Sequence, residues 1–156
     1  MNSVRHRQGG LFVGEPTPES GAQTLVEALK IFPARTWFLE EDESLPKELP
    51  PAAYLVLPPL CCEGVPRALV EAFASGLPVI ASRVGMLAEL VEPGRNGLLF
   101  EAGSARELAR RLAWAEAFPE KMAQMGECAR ADYRARFIAD WGWQTLFGER
   151  RRSARA

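Results

Sequence analysis

The chain contains one histidine, His6, in an N-terminal stretch with no apolar segment behind it. A serine–histidine–aspartate relay or a histidine-rich metal site therefore has nothing to be built from. Aspartate is almost as scarce: Asp42, Asp132 and Asp140 are the only ones, and none forms a metal-binding Asp-x-Asp pair. Cysteine is confined to Cys61, Cys62 and Cys128, an odd number without a Cys-x-x-Cys. This excludes a zinc ribbon or a disulfide framework, and Cys61 and Cys62 read as small apolar fillers beside a strand end. No apolar run approaches the ~20 residues of a bilayer span, and Met1 to Arg7 lack the apolar core of a secretory signal. A cytoplasmic location is expected. Neither sign of charge is in excess: 19 basic residues against 20 acidic ones leave a net charge of −1, which argues against nucleic acid as a partner.

What remains is 156 residues, 47% hydrophobic and 25% charged, the profile of one globular domain. The apolar pattern alternates between short runs and helical stripes. Leu11-Phe12-Val13 is a short run ended by Gly14, and Thr17-Pro18 then supplies a cap with proline at the first helical position. The spacing of Ala22, Leu25, Val26 and Leu29 predicts a helix with one buried stripe, stopped by Pro33. Thr36 to Leu39 and Ala53 to Leu57 read as the second and third strands. Between them lies an acidic stretch, Glu40 to Pro51, whose prolines allow a turn or two of helix at most. That crossover is short.

Pro66 opens a further helix with Leu69, Val70 and Phe73 on one face and Gly76 as its stop. Leu77 to Ala81 has the continuous apolar character of a strand buried on both sides of a parallel sheet. A short helix around Leu87 to Val91, a strand at Gly97 to Phe100, and a helix opened by the Ser104/Glu107 capping box follow. Pro119 starts the next helix, with Met122, Met125 and Ala129 inward. A last aromatic helix carries Phe137, Trp141, Trp143 and Phe147 toward the basic end at Arg150. The expected fold is α/β, a Rossmann-like and mainly parallel sheet of five strands with helices on both faces. Its domain spans residues 11–148, after a flexible arm at 1–10 and before a frayed basic tail at 149–156. Ligands of such sheets sit at the carboxyl ends of the strands, where the turns after Val13, Leu57 and Ala81 converge.

One segment is more specific. Tyr54-Leu-Val-Leu-Pro-Pro is followed by Glu63-Gly-Val-Pro-Arg67, by Glu71-Ala-Phe-Ala-Ser-Gly-Leu-Pro-Val-Ile-Ala, and by Val84-Gly85 and Gly94-Arg-Asn-Gly-Leu-Leu-Phe100. Two glutamates eight apart on a helix are separated by ~12 Å along its axis, too far for a tight acid/base pair but suited to holding two parts of a long hydroxyl-rich ligand. Backbone N–H groups at the intervening helix start form a phosphate site. In this order the residues resemble the C-terminal, donor-binding half of the GT-B glycosyltransferases, the retaining family 4 or group 1 class, over about residues 11 to 148.

The resemblance implies that a hexose is transferred from a UDP- or GDP-linked nucleotide sugar to an acceptor hydroxyl, with no metal and no further cofactor. It implies that Glu63 contacts the transferred sugar and acts in catalysis. Gly64, Val65, Pro66 and Arg67 would hold the diphosphate with Gly14 and Gly85, and Glu71 the ribose hydroxyls. It also implies a separate N-terminal acceptor domain as partner. Without one, Trp141, Trp143 and Phe147 would serve a homo-oligomer, and any peripheral membrane attachment would come through a partner.

The chain departs from the family where the family keeps two diphosphate-binding cations. Glu15 follows Gly14 in place of an arginine, and Ser20 precedes Gly21 in place of a lysine. Pro59 replaces a serine, and Met86 the second glycine after Gly85. The crossover from Glu40 to Pro51 is shorter than the family's, as if a strand–helix unit were missing. Arg67 and Arg83 are the candidates to compensate for the lost charge. The alternative, which Glu15 and Ser20 favour, is a degenerate non-catalytic relic or interaction module of the same fold. A stand-alone nucleotide binder of another chemistry is disfavoured because no G-x-G-x-x-G follows the first strand.

Overall fold

A computed structural model describes residues 7–40, 45, 49–61 and 64–140, with backbone alone for 138–140. Five strands form one parallel sheet: β1 (Gly10–Val13), β2 (Thr36–Leu39), β3 (Tyr54–Leu57), β4 (Val79–Ser82) and β5 (Gly97–Phe100), in the order β2-β1-β3-β4-β5. Four of the five are buried along their whole length, as continuous apolar runs such as Tyr54-Leu-Val-Leu require when both faces are covered. β2 is the exception and lies at an edge.

The helices are α1 (Ala22–Ile31), α2 (Arg67–Ala74), α3 (Gly85–Leu90), α4 (Ala105–Ala117) and α5 (Pro119–Asp132), followed by a π-helical segment at Tyr133–Asp140. One core unites Leu25, Tyr54, Phe100, Leu108 and Met122, so α1 and α4 cover one face of the sheet. The other unites Leu55, Leu69, Phe73, Leu87 and Phe137 beneath α2 and α3. Leu45 and Leu49 pack against this second core, so the short β2–β3 crossover returns on the α2 face. α5 contributes to both cores, which suits the two unbranched methionines, Met122 and Met125, that it buries.

Two sequence expectations change. Val26, expected in the buried stripe of α1, is 38% exposed. Cys61, expected as apolar filler, is exposed at the end of the β3 turn, while Cys62 lies outside the described residues. The capping box forms in part: Ser104 Oγ accepts the Glu107 N–H at 3.2 Å, but the Glu107 carboxylate accepts from Glu101 N–H rather than from Ser104. The trio Trp141, Trp143 and Phe147 lies outside the described residues. Among the described residues no helix is long and apolar enough to cross a membrane.

A polar network fastens α5 to the β4–β5 side of the sheet. Asn96 is fully buried; its amide donates to Asp132 at 2.8 Å and to the Leu90 carbonyl at 3.1 Å, and its oxygen accepts the Glu92 N–H at 2.7 Å. Asp132, also buried, takes a second bond from Arg95. Burial pushes the Asp132 carboxyl up, but the bonds from Arg95 and Asn96 and the charges of Arg95 and Arg136 outweigh it, so its pKa lies below the usual value. A group with a depressed folded pKa stabilises above its unfolded value, about 4, and loses that contribution as pH falls through the folded value. Asp132→Asn is therefore expected to destabilise the chain at pH 7 by about 1–3 kcal/mol and to narrow that loss below pH 4, as read by urea unfolding at both pH values.

Candidate functional site

The chain leaves β1 toward β2 on one face through α1 and leaves β3 toward β4 on the other through α2. The point between β1 and β3 is thus a topological switch, and a crevice opens at the carboxyl ends of those strands. Gly14 leaves β1 at φ 140°. Thr17 then caps a 3-10 turn at Pro18–Ser20, its Oγ1 accepting the Ser20 N–H at 3.2 Å. The Ser20 hydroxyl donates to the Thr17 carbonyl at 2.8 Å and accepts the Ala22 N–H at 3.2 Å. The residue that replaces the family's lysine is therefore engaged in closing the turn ahead of α1.

This turn is locked to the end of β3. A Cβ on Gly21 would lie 1.7 Å from the Pro58 carbonyl oxygen, and Gly21 has φ 75°, so glycine is required for both reasons. Leu60 N–H donates to the Glu19 carbonyl at 3.0 Å, and Ser82 Oγ donates to the Pro59 carbonyl at 2.6 Å. The ends of β1, β3 and β4 thus form one braced floor. Gly21→Ala is expected to cost about 2–4 kcal/mol of stability, read by chemical denaturation.

Over this floor stands the turn into α2. Gly64 is exposed, with φ 74° and open space where a Cβ would be; Val65, Pro66 and Arg67 are half-buried. Pro66 precedes α2, and among the described residues no side chain caps the helix, so its first N–H groups lack a side-chain acceptor there. Arg67 opens the helix with a buried Nε that has no hydrogen-bond partner among the described residues. Gly85, at φ 49°, opens α3 at the same edge, again without a side-chain cap. Glu15 and Arg83 are exposed there. The expected residues Gly14, Gly64, Val65, Pro66, Arg67 and Gly85 are thus gathered at one edge, whereas Glu63 lies outside the described residues.

Glu71, one turn into α2, is half-buried and has an engagement that sequence reasoning missed: its Oε1 accepts the Leu45 N–H at 2.8 Å. The short crossover is pinned by this carboxylate. The two residues lie 26 positions apart, beyond any local pattern. A separate cleft of about 630 Å³ opens at the opposite edge, beside Ala53, Pro78 and α5, and is lined by Arg7, Arg130 and Arg134. It is lined by none of Gly14, Gly64, Val65, Pro66, Arg67, Glu71 and Gly85.

Comparison with known proteins agrees with this architecture. Residues 10–132 match the family described as "Glycosyl transferases group 1", and the chain belongs to that family. The uncharacterized glycosyltransferase MJ1178 of Methanocaldococcus jannaschii is 30% identical over 130 residues, taking in 66% of this chain and 36% of the relative. Sucrose-phosphate synthase from Thermosynechococcus elongatus superposes with a TM-score of 0.74 at 21% identity, over 99% of this chain and 49% of that one. Alr3699/HepE of Anabaena, in complex with UDP and glucose, superposes with a TM-score of 0.70 at 20% identity, over 94% of this chain and 49% of that one. The fold is that of a GT-B glycosyltransferase domain, and the chain spans about half the length of these two structures.

Proposed function

We propose that the chain is the donor-binding half of a retaining, family 4 glycosyltransferase that takes a hexose from a UDP- or GDP-linked sugar to an acceptor hydroxyl. Arg67 supplies the cation for the diphosphate, and its buried Nε, without a hydrogen-bond partner among the described residues at the start of α2, is the observation that carries the reading. A phosphate oxygen satisfies such a group with a charge-assisted bond. Gly14, Gly64, Val65, Pro66 and Gly85 let the ligand approach the backbone, Glu71 takes the ribose hydroxyls, and Glu63 acts on the transferred sugar. The UDP held by Alr3699/HepE supports a nucleoside diphosphate as ligand class.

Transfer needs the acceptor positioned against the donor, and such positioning contributes up to about 7–11 kcal/mol in well-oriented cases. A separate acceptor-binding domain is therefore the expected partner, and the 156-residue chain alone is expected to turn over no nucleotide sugar in a product assay. The experiment for the binding reading is calorimetric titration with UDP and GDP, with Arg67→Ala as control. Saturable binding that weakens about 10-fold or more in the variant supports it. The second reading, a non-catalytic module of the same fold, is favoured by the engagement of Ser20 in its turn and of Glu71 with Leu45. It predicts no binding of either nucleotide.

A further inference from the structure

The alignment with MJ1178 covers 130 positions but uses 66% of these 156 residues, about 103, so about 27 positions of the relative have no counterpart here, enough for one strand and one helix. The short β2–β3 crossover is a place where the topology can accommodate such a difference in length, and β2 is an edge strand that pairs only with β1 among the described residues. A strand beyond β2 would continue in the direction already taken from β1 to β2. By the constant handedness of such crossovers, its helix would lie on the α1 face. On that face Phe38, whose ring lies tilted at 51° against Phe12 with centroids 5.9 Å apart, is 47% exposed, and Val26 is 38% exposed. With a right-handed crossover the helical wheel turns Val26 and Leu29 toward β2 and Thr24 toward α4. Phe38 and Val26 thus mark one exposed apolar footprint beside the β2 edge.

We propose that a second copy of this chain covers this footprint, with the two β2 strands pairing antiparallel about a two-fold axis normal to the sheet. This pairing satisfies the free backbone groups of both edges, continues each face into the same face of the other copy, and brings the Phe38 and Val26 patches together. The charges select the antiparallel arrangement. Lys30, near the end of α1, and Arg35, just before β2, lie at the amino end of the edge, and Glu40 follows β2 at the carboxyl end. All three are exposed, Lys30 also pairing with Glu27 of its own helix at 3.3 Å. A two-fold sets Lys30 and Arg35 of each copy against Glu40 of the other at both ends. A parallel mate would align like charges.

Sedimentation velocity across a concentration series tests the proposal. The unaltered chain is expected to form a dimer, and no larger species, by about 50 µM. Phe38→Glu is expected to be monomeric with an unchanged circular dichroism spectrum, since Phe38 is half exposed already; Val26→Glu serves as a second probe should Phe38→Glu fail to fold. Lys30→Glu and Glu40→Lys are each expected to weaken the dimer about 3- to 10-fold, and the double swap to restore it. A monomer at all concentrations, a dimer indifferent to both apolar-patch variants, swaps that do not compensate, or open-ended association would each overturn it.

Discussion

In calorimetric titration the double variant Glu15→Arg/Ser20→Lys is expected to bind UDP about 100-fold more tightly than the unaltered chain, less what solvent screening removes. One anion and one neutral group become two cations at the carboxyl edge, each able to make a charge-assisted bond to the diphosphate worth about 1.5 kcal/mol. Glu15 is exposed, so its replacement disturbs nothing packed. Ser20 is different: lysine removes the bonds to Thr17 and Ala22, with an expected loss of about 1 kcal/mol in stability. The gain in affinity therefore comes with a small fall in the unfolding midpoint. Unchanged affinity in a folded double variant would mean that the turn after β1 does not face a diphosphate, and would favour the non-catalytic reading.

The second large effect separates the two engagements of Glu71. Glu71→Ala is expected to lose UDP affinity about 10-fold and also to destabilise the chain by about 1–2 kcal/mol, because the Leu45 N–H is left without its acceptor. Glu71→Gln keeps an amide oxygen for that N–H and is expected to hold stability within about 0.5 kcal/mol while still binding UDP more weakly, since a neutral amide is a poorer acceptor for ribose hydroxyls. Denaturation and calorimetry on the same two proteins measure both quantities. Equal affinities in Glu71→Gln and the unaltered chain would assign the carboxylate wholly to the crossover.

The strands were legible because each is a short apolar run, most of them bounded by glycine or proline, and four of the five are buried on both faces as their composition requires. The helix starting at Pro119 and the gathering of Gly14, Gly64 and Gly85 at one edge followed from pattern and order. Val26 did not: helical periodicity places it in the stripe, yet it is 38% exposed, since periodicity shows which side chains share a face and not what packs against them. The Asn96–Asp132 network and the Leu45–Glu71 bond were invisible for a similar reason, since each joins residues 26 or more positions apart whose types fit a solvated surface equally well. Ser20 was legible as an absent cation but not as a hydroxyl that closes its own turn.

The central claim is that a nucleoside diphosphate binds at the carboxyl edge between β1 and β3. Backbone amide shifts followed by nuclear magnetic resonance during a UDP titration test it most directly. Gly14, Gly64, Arg67 and Gly85 are expected to shift together and to saturate with one dissociation constant, with the amides around Arg130 and Arg134 unmoved. Shifts confined to the arginine-lined cleft at the opposite edge, or none at millimolar UDP, would contradict it.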